Sequence, residues 1–164
     1  MIAGRDGIAS LSLNAVAREA GVSKGGLLHH FPNKQALIFA LFARLLAIME
    51  EAISGLMAAD NVSYGRFTRA YLHYLSDLTD TDESRQLMVL SLAMPDEPVL
   101  RKCWRDWMLG HLAQGDALDN SHTGTLVRYA ADGIWLSELT EGRTMGADHR
   151  RSLVRDLTRM TLPA

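Results

Sequence analysis

The chain has 164 residues, 48% apolar and 22% charged, with a formal net charge of −2. That is an ordinary globular composition, enough for one compact domain or two small ones. Its single cysteine, Cys103, excludes an internal disulfide and a zinc site built on cysteines, and fits a reducing cytoplasm. No alternating strand pattern occurs along the chain, so the expectation is all-α.

Met1 to Ile8 carries no targeting pattern, and Gly4-Arg5-Asp6-Gly7 interrupts any helix there after about four residues. Ser12 is placed to cap a helix from Leu13, whose stripe is Leu13, Val16, Ala17 and Ala20. Gly21 ends it, since glycine takes the left-handed conformation without a Cβ clash. Val22 is expected to fill the angle between the two helices. Ser23 caps a second helix over 24–30, with Gly25 and Gly26 in its first turn. Each glycine there costs about 1 kcal/mol relative to alanine, a cost tolerated where a backbone must approach something closely. Phe31-Pro32 stops the helix, because the residue before proline leaves the α region. Asn33 then caps a third helix that begins with Lys34.

Two short helices around a glycine corner, the second opening on small and cationic residues, suit insertion of a helix end into the DNA major groove. A plain helical hairpin has the same corner. Charge points the same way as the groove reading. Residues 1–35 hold Arg5, Arg18, Lys24 and Lys34 against Asp6 and Glu19, a weakly basic end on an acidic body.

Gly21-Val22-Ser23-Lys24-Gly25, Leu27, His30-Phe31-Pro32-Asn33-Lys34 and Ala36-Leu37 resemble the DNA-binding segment of TetR-family transcriptional regulators. The close match covers residues 8–41, about a fifth of the chain. The resemblance implies a phosphate contact at Ser12. It implies base and phosphate approach at Ser23, Lys24, Gly25 and Gly26, and backbone contacts from His29 and His30. A phosphate-binding lysine is implied at Lys34. Two departures stand out. Leu28 replaces a frequent tyrosine and removes a hydroxyl donor, and Gly26 lacks the usual side chain. The family also has a full helix before the turn unit. Here that helix is expected to be incomplete, the chain beginning inside it or being truncated ahead of it. The expected division is a helix-turn-helix domain over 1–41 and a helical ligand-binding and dimerisation domain over 42–164.

Beyond the turn unit, a long helix is expected over 34–58. Its run from Ala36 to Met49 is apolar except for Arg44 and too short to span a membrane. Ser63 is expected to cap a helix over 64–79, followed by helices over 83–93 and 97–114, with Pro98 in the first turn of the latter. Gln114 to Thr123 reads as a loop, followed by helices over 123–140 and 147–161. Phe67, Tyr71, Tyr74, Met88, Trp104, Trp107, Met108 and His111 form a candidate ligand pocket, since methionines and tryptophans suit an adaptable apolar cavity. The same residues would serve equally as plain core.

Residues 126–139 are apolar on more than one face, and Leu153, Val154, Leu157 and Met160 stripe the last helix. Two such helices from each of two subunits would build a four-helix bundle. The interface residues expected are Tyr129, Gly133, Trp135, Leu136, Leu153 and Leu157, and the resemblance implies the same arrangement.

No metalloprotease, phosphate-loop or nucleophile-elbow motif occurs, and the six histidines show no ligand spacing on one helix face. No catalytic residue, cofactor or metal is therefore assigned. The expectation is a cytoplasmic, homodimeric repressor without membrane attachment, released from a palindromic double-stranded DNA operator by a small apolar effector. The alternative is an all-helical sensor or interaction protein that has lost specific DNA binding.

Overall fold

A computed structural model describes residues 12–78, 82–141 and 145–163. The incomplete first helix expected ahead of the turn unit falls before residue 12, outside the described residues. Among the described residues the chain is all-α: α1 (Leu13–Glu19), α2 (Lys24–His30), α3 (Lys34–Ala59), α4 (Arg66–Asp77), α5 (Asp82–Ala93), a 3-10 turn (Met94–Asp96), α6 (Pro98–Gln114), α7 (His122–Glu141) and α8 (Ala147–Met160). None of these helices is long and apolar enough to cross a membrane.

The chain divides into two compact units, residues 1–47 with 80–105 and residues 48–79 with 106–164. Helices α3 and α6 each contribute residues to both. In the first unit the side chains of Ala17, Leu27, Leu37, Ile38, Phe42, Leu87, Leu90 and Leu100 are buried. In the second, α4 packs on α7 and α8. Phe67, Tyr71, Leu72, Val127, Ala131 and Leu157 are among its buried side chains.

The start of α4 differs from the sequence expectation. The helix begins at Arg66 and its cap is Gly65, not Ser63. Gly65 has φ +67°, and a Cβ there would sit 2.2 Å from Leu118 Cδ2 and 2.7 Å from the Thr161 carbonyl oxygen. Both conformation and space therefore demand glycine. The orphan N–H groups of this turn are met from far along the chain. Gly65 N–H donates to Asp116 Oδ2 at 2.7 Å, and Thr68 N–H to Asp119 Oδ1 at 2.9 Å. Carboxylates beside a helix N-terminus also favour its dipole. Ser121 caps α7, its Oγ accepting from Gly124 N–H at 3.0 Å, so that helix starts one residue earlier than expected.

Two buried arginines organise the second unit. Arg69 donates to Asp60 Oδ2 (2.6 Å), to the carbonyls of Val62 (2.7 Å), Tyr64 (3.0 Å) and Thr161 (3.0 Å), and to Thr161 Oγ1 (3.1 Å). Arg128 donates to Thr68 Oγ1 at 2.7 Å and to the Asp119 carbonyl at 2.8 Å. Burial lowers the Arg128 pKa, opposed by the nearby carboxylates of Asp119 and Asp132. One turn further along α7, Asp132 Oδ1 accepts from the Tyr71 hydroxyl at 2.5 Å. Burial raises the Tyr71 hydroxyl well above its ordinary range, and the Asp132 charge adds to it. Burial likewise raises the Asp132 carboxyl.

Candidate nucleic-acid interface and ligand cavity

The first candidate site is the α1–turn–α2 unit. Ser12 Oγ accepts from Ala15 N–H at 3.1 Å, Ser23 Oγ from Gly26 N–H at 3.0 Å and Asn33 Oδ1 from Ala36 N–H at 2.8 Å. All three caps are those read from the sequence. Gly21 has φ +66° and turns the chain between the helices. Val22 does not fill the corner: it is 48% exposed. The glycine turn and the Ala17 and Leu27 side chains, both buried, close the angle without it.

Ser12, Ser23, Lys24, Gly25, Gly26, His29 and His30 are all exposed, and Lys34 is half-buried in the first turn of α3. A Cβ on Gly25 would meet nothing within 4 Å. The first turn of α2 is thus a bare backbone surface open to a partner. The His29 and His30 rings pack edge to face, with centroids 5.3 Å apart. The exposed residues of this face are one lysine and six small or imidazole-bearing residues, with Lys34 half-buried beside them. Its chemistry suits phosphate and backbone contact more than bidentate base reading, which needs longer side chains.

The second candidate site is a cavity of about 720 Å³ in the second unit. Glu50 from α3 and Trp107 and His111 from α6 meet at its wall. The Trp107 indole N–H donates to Glu50 Oε2 at 2.6 Å. His111 Nε2 lies 2.7 Å from the same oxygen, and Ser54 Oγ donates to Oε1 at 3.0 Å. Burial works against the Glu50 charge, but these bonds and the His111 charge outweigh it and hold its carboxyl below the usual range. The His111 ring stacks on Phe67 at 4.5 Å with planes 1° apart, and Trp107 meets it edge-on at 4.6 Å. Asp106, Asp116 and Asp119 also line the cavity, against the single guanidinium of Arg66.

Of the pocket residues expected from sequence, Phe67, Trp107 and His111 line this cavity. Tyr71 does not: it lies outside the lining, its hydroxyl bonded to Asp132. Tyr74 and Met108 are half-buried outside the lining, and Met88 and Trp104 belong to the other unit. Glu50, Ser54 and the three aspartates are lining residues that sequence reasoning missed. The i, i+4 pairs Glu50/Ser54 and Trp107/His111 each put polar atoms on one helix face, and that spacing is the signal that could have found them.

Of the expected interface residues, Tyr129 is 71% exposed and Leu136 41% exposed, with Leu126 at 56% on the same stripe of α7. Gly133 is exposed between them. Leu153 is half-buried. Leu157 is buried within its own unit. Trp135 is half-buried, with its indole N–H buried and without a hydrogen-bond partner.

Comparison with known proteins addresses both units. The family described as bacterial regulatory proteins of the tetR family matches residues 1–41. The tetracyclin repressor-like C-terminal domain matches residues 65–162. A transcriptional regulator from Rhodococcus sp. Rha1 superposes with TM-score 0.79 at 19% identity, over 98% of this chain and 90% of that one. The multidrug binding protein EbrR, solved in complex with imidazole, gives 0.70 at 25% identity over 99% and 86%. GusR from Salmonella enterica gives 0.67 at 18% identity over 97% and 88%.

Proposed function

The chain belongs to the TetR family of transcriptional regulators, and on that premise we propose that it is a homodimeric repressor released from a palindromic operator by a small effector. The observation that carries the DNA-binding half is the open first turn of α2. Ser23, Lys24, Gly25 and Gly26 are exposed there, and nothing of the protein lies within 4 Å of a Cβ on Gly25. Ser12 and Lys34 complete a set of phosphate contacts, Lys34 acting with the positive end of α3. His29 and His30 reach the DNA backbone. The cytoplasm is the compartment where such a protein meets its operator, and its role needs no catalytic step.

The effector occupies the cavity walled by Glu50, Phe67, Trp107 and His111. The multidrug binding by EbrR, solved with imidazole, supports a ligand-binding role for that cavity. Glu50 and Lys34 stand on one continuous helix, α3. Effector contact at Glu50 therefore acts on the helix that carries a phosphate ligand. An effector releases DNA only by binding the DNA-incompetent state better. The subunits meet through α7 and α8, with Leu126, Tyr129, Gly133 and Leu136 forming the apolar face.

Footprinting on the DNA upstream of the protein's own coding region tests this reading. The expected result is two protected half-sites related by a dyad, their centres about 34–36 Å or a multiple apart. Uniform, weak protection without a dyad would favour a helical sensor that does not read DNA.

A further inference from the structure

We propose that the effector is an organic monocation with an aromatic body, held with its charge against Glu50 and its rings beside Trp107 and His111, with the buried Phe67 ring backing His111; this rests on the ligand-responsive reading above. The cavity, at about 720 Å³, is of the size that encloses a drug-sized molecule. Its wall is not neutral. Glu50, Asp106, Asp116 and Asp119 face it against Arg66 alone among the fixed cations.

The Glu50 carboxylate is the group that points to the ligand. Its donors are a hydroxyl, an indole and an imidazole. The hydroxyl and the indole orient the carboxylate and stabilise its charge without cancelling it. Its side chain is 42% exposed, so the charge remains within reach of a molecule in the cavity. Beside it the Phe67 and Trp107 centroids are 6.0 Å apart, and His111 lies 4.5 and 4.6 Å from them respectively. A cation within about 6 Å of such ring centroids is attracted by their π faces. A carboxylate joined to a cluster of rings therefore selects a soft, weakly hydrated cation with an apolar skirt.

Two other occupants fit less well. An anion would meet four carboxylates. A hard divalent metal needs several free oxygens, yet Asp116 and Asp119 commit theirs to backbone N–H groups. Asp116 accepts from Gly65, Leu118 and Asp119, and Asp119 accepts from Thr68. Those two carboxylates shape the field of the cavity, and Glu50 makes the contact.

The test is a titration of the full chain with three probes of one shape class, followed by tryptophan fluorescence. They are benzyltrimethylammonium, its neutral carbon isostere neopentylbenzene, and phenylacetate. The cation is expected to bind about tenfold or more tighter than the isostere, with phenylacetate weakest. Glu50→Gln keeps an acceptor for Trp107 and removes the charge. It is expected to collapse the cation-to-isostere ratio towards one, and that ratio is internal to one folded sample. Equal or tighter binding of neopentylbenzene or phenylacetate, no saturable binding of the cation, or an unaltered ratio in E50Q would overturn the proposal. Adding DNA separates the two readings. Cation binding without any change in DNA affinity contradicts ligand responsiveness alone. DNA release by neopentylbenzene and not by the cation contradicts the cation site alone.

Discussion

Asp60 illustrates how a single surface-loop carboxylate supports the second unit. Its Oδ2 takes the Arg69 guanidinium at 2.6 Å and its Oδ1 takes the Val62 N–H at 2.8 Å. Burial opposes its charge, but the Val62 and Arg69 bonds and the arginine charge prevail and lower its pKa below the ordinary 3.8. A folded pKa below the unfolded one means that the folded state holds fewer protons, so the stabilisation is fully present above the unfolded value. It is lost as pH falls through the folded one. Asp60→Asn is therefore expected to lower stability by about 1–3 kcal/mol at pH 7. That gap should narrow as pH falls below about 4, read from urea midpoints of the two proteins. At the other end of α3, Lys34→Ala is expected to weaken binding to all DNA sequences alike. It should also reduce the slope of log affinity against log salt by about 0.9, the share of one phosphate. An unchanged slope would remove Lys34 from the interface.

At the scale of the element, local signals and distant ones divide cleanly. Ser12, Ser23, Asn33, Gly21 and Pro32 act on their own helix ends, so the boundaries of α1, α2 and the start of α3 were legible in the sequence. The start of α4 was not. Gly65 looks like any loop glycine until Leu118 and Thr161 close around it. Its capping carboxylates come from Asp116 and Asp119, 51 residues from their partners. Gly65→Ala is expected to cost at least 1–2 kcal/mol for the left-handed backbone alone, and more from overlap with Leu118. Thermal unfolding of that variant checks it. On α7 the exposed stripe of Leu126, Tyr129 and Leu136 makes the dimer proposal specific. Tyr129→Glu or Leu136→Glu is expected to shift the sedimentation mass towards a monomer with helicity retained, because a charge buried at an apolar interface has no partner. DNA affinity should fall in parallel. Leu157 is a poorer probe, being buried in its own unit, where substitution would report folding first.

At the scale of the whole molecule, sequence periodicity was enough for an all-α chain and its helix order, because each helix carries its own stripe and stop signals. The ligand cavity was only partly legible. Trp107 and His111 stand one turn apart on a single helix and could be paired from spacing. Glu50 joins them across 57 and 61 residues of chain. No local pattern reports such an encounter, and the carboxylates that turn an apolar pocket into a charged one were therefore missed. The net charge of −2 concealed the same fact. Acidic groups are concentrated where the effector is proposed to bind, while the exposed face of α2 carries Lys24.

The claim that this protein reads a specific DNA sequence is tested most directly by fluorescence anisotropy of the full chain on two duplexes of equal length and composition. One is the upstream segment containing the dyad, and the other is the same bases scrambled. At physiological salt the account predicts saturable binding to the upstream segment at least about 10³-fold tighter than to the scrambled one, with affinity falling steeply as salt is raised. Equal affinity for the two duplexes at every salt concentration would contradict it.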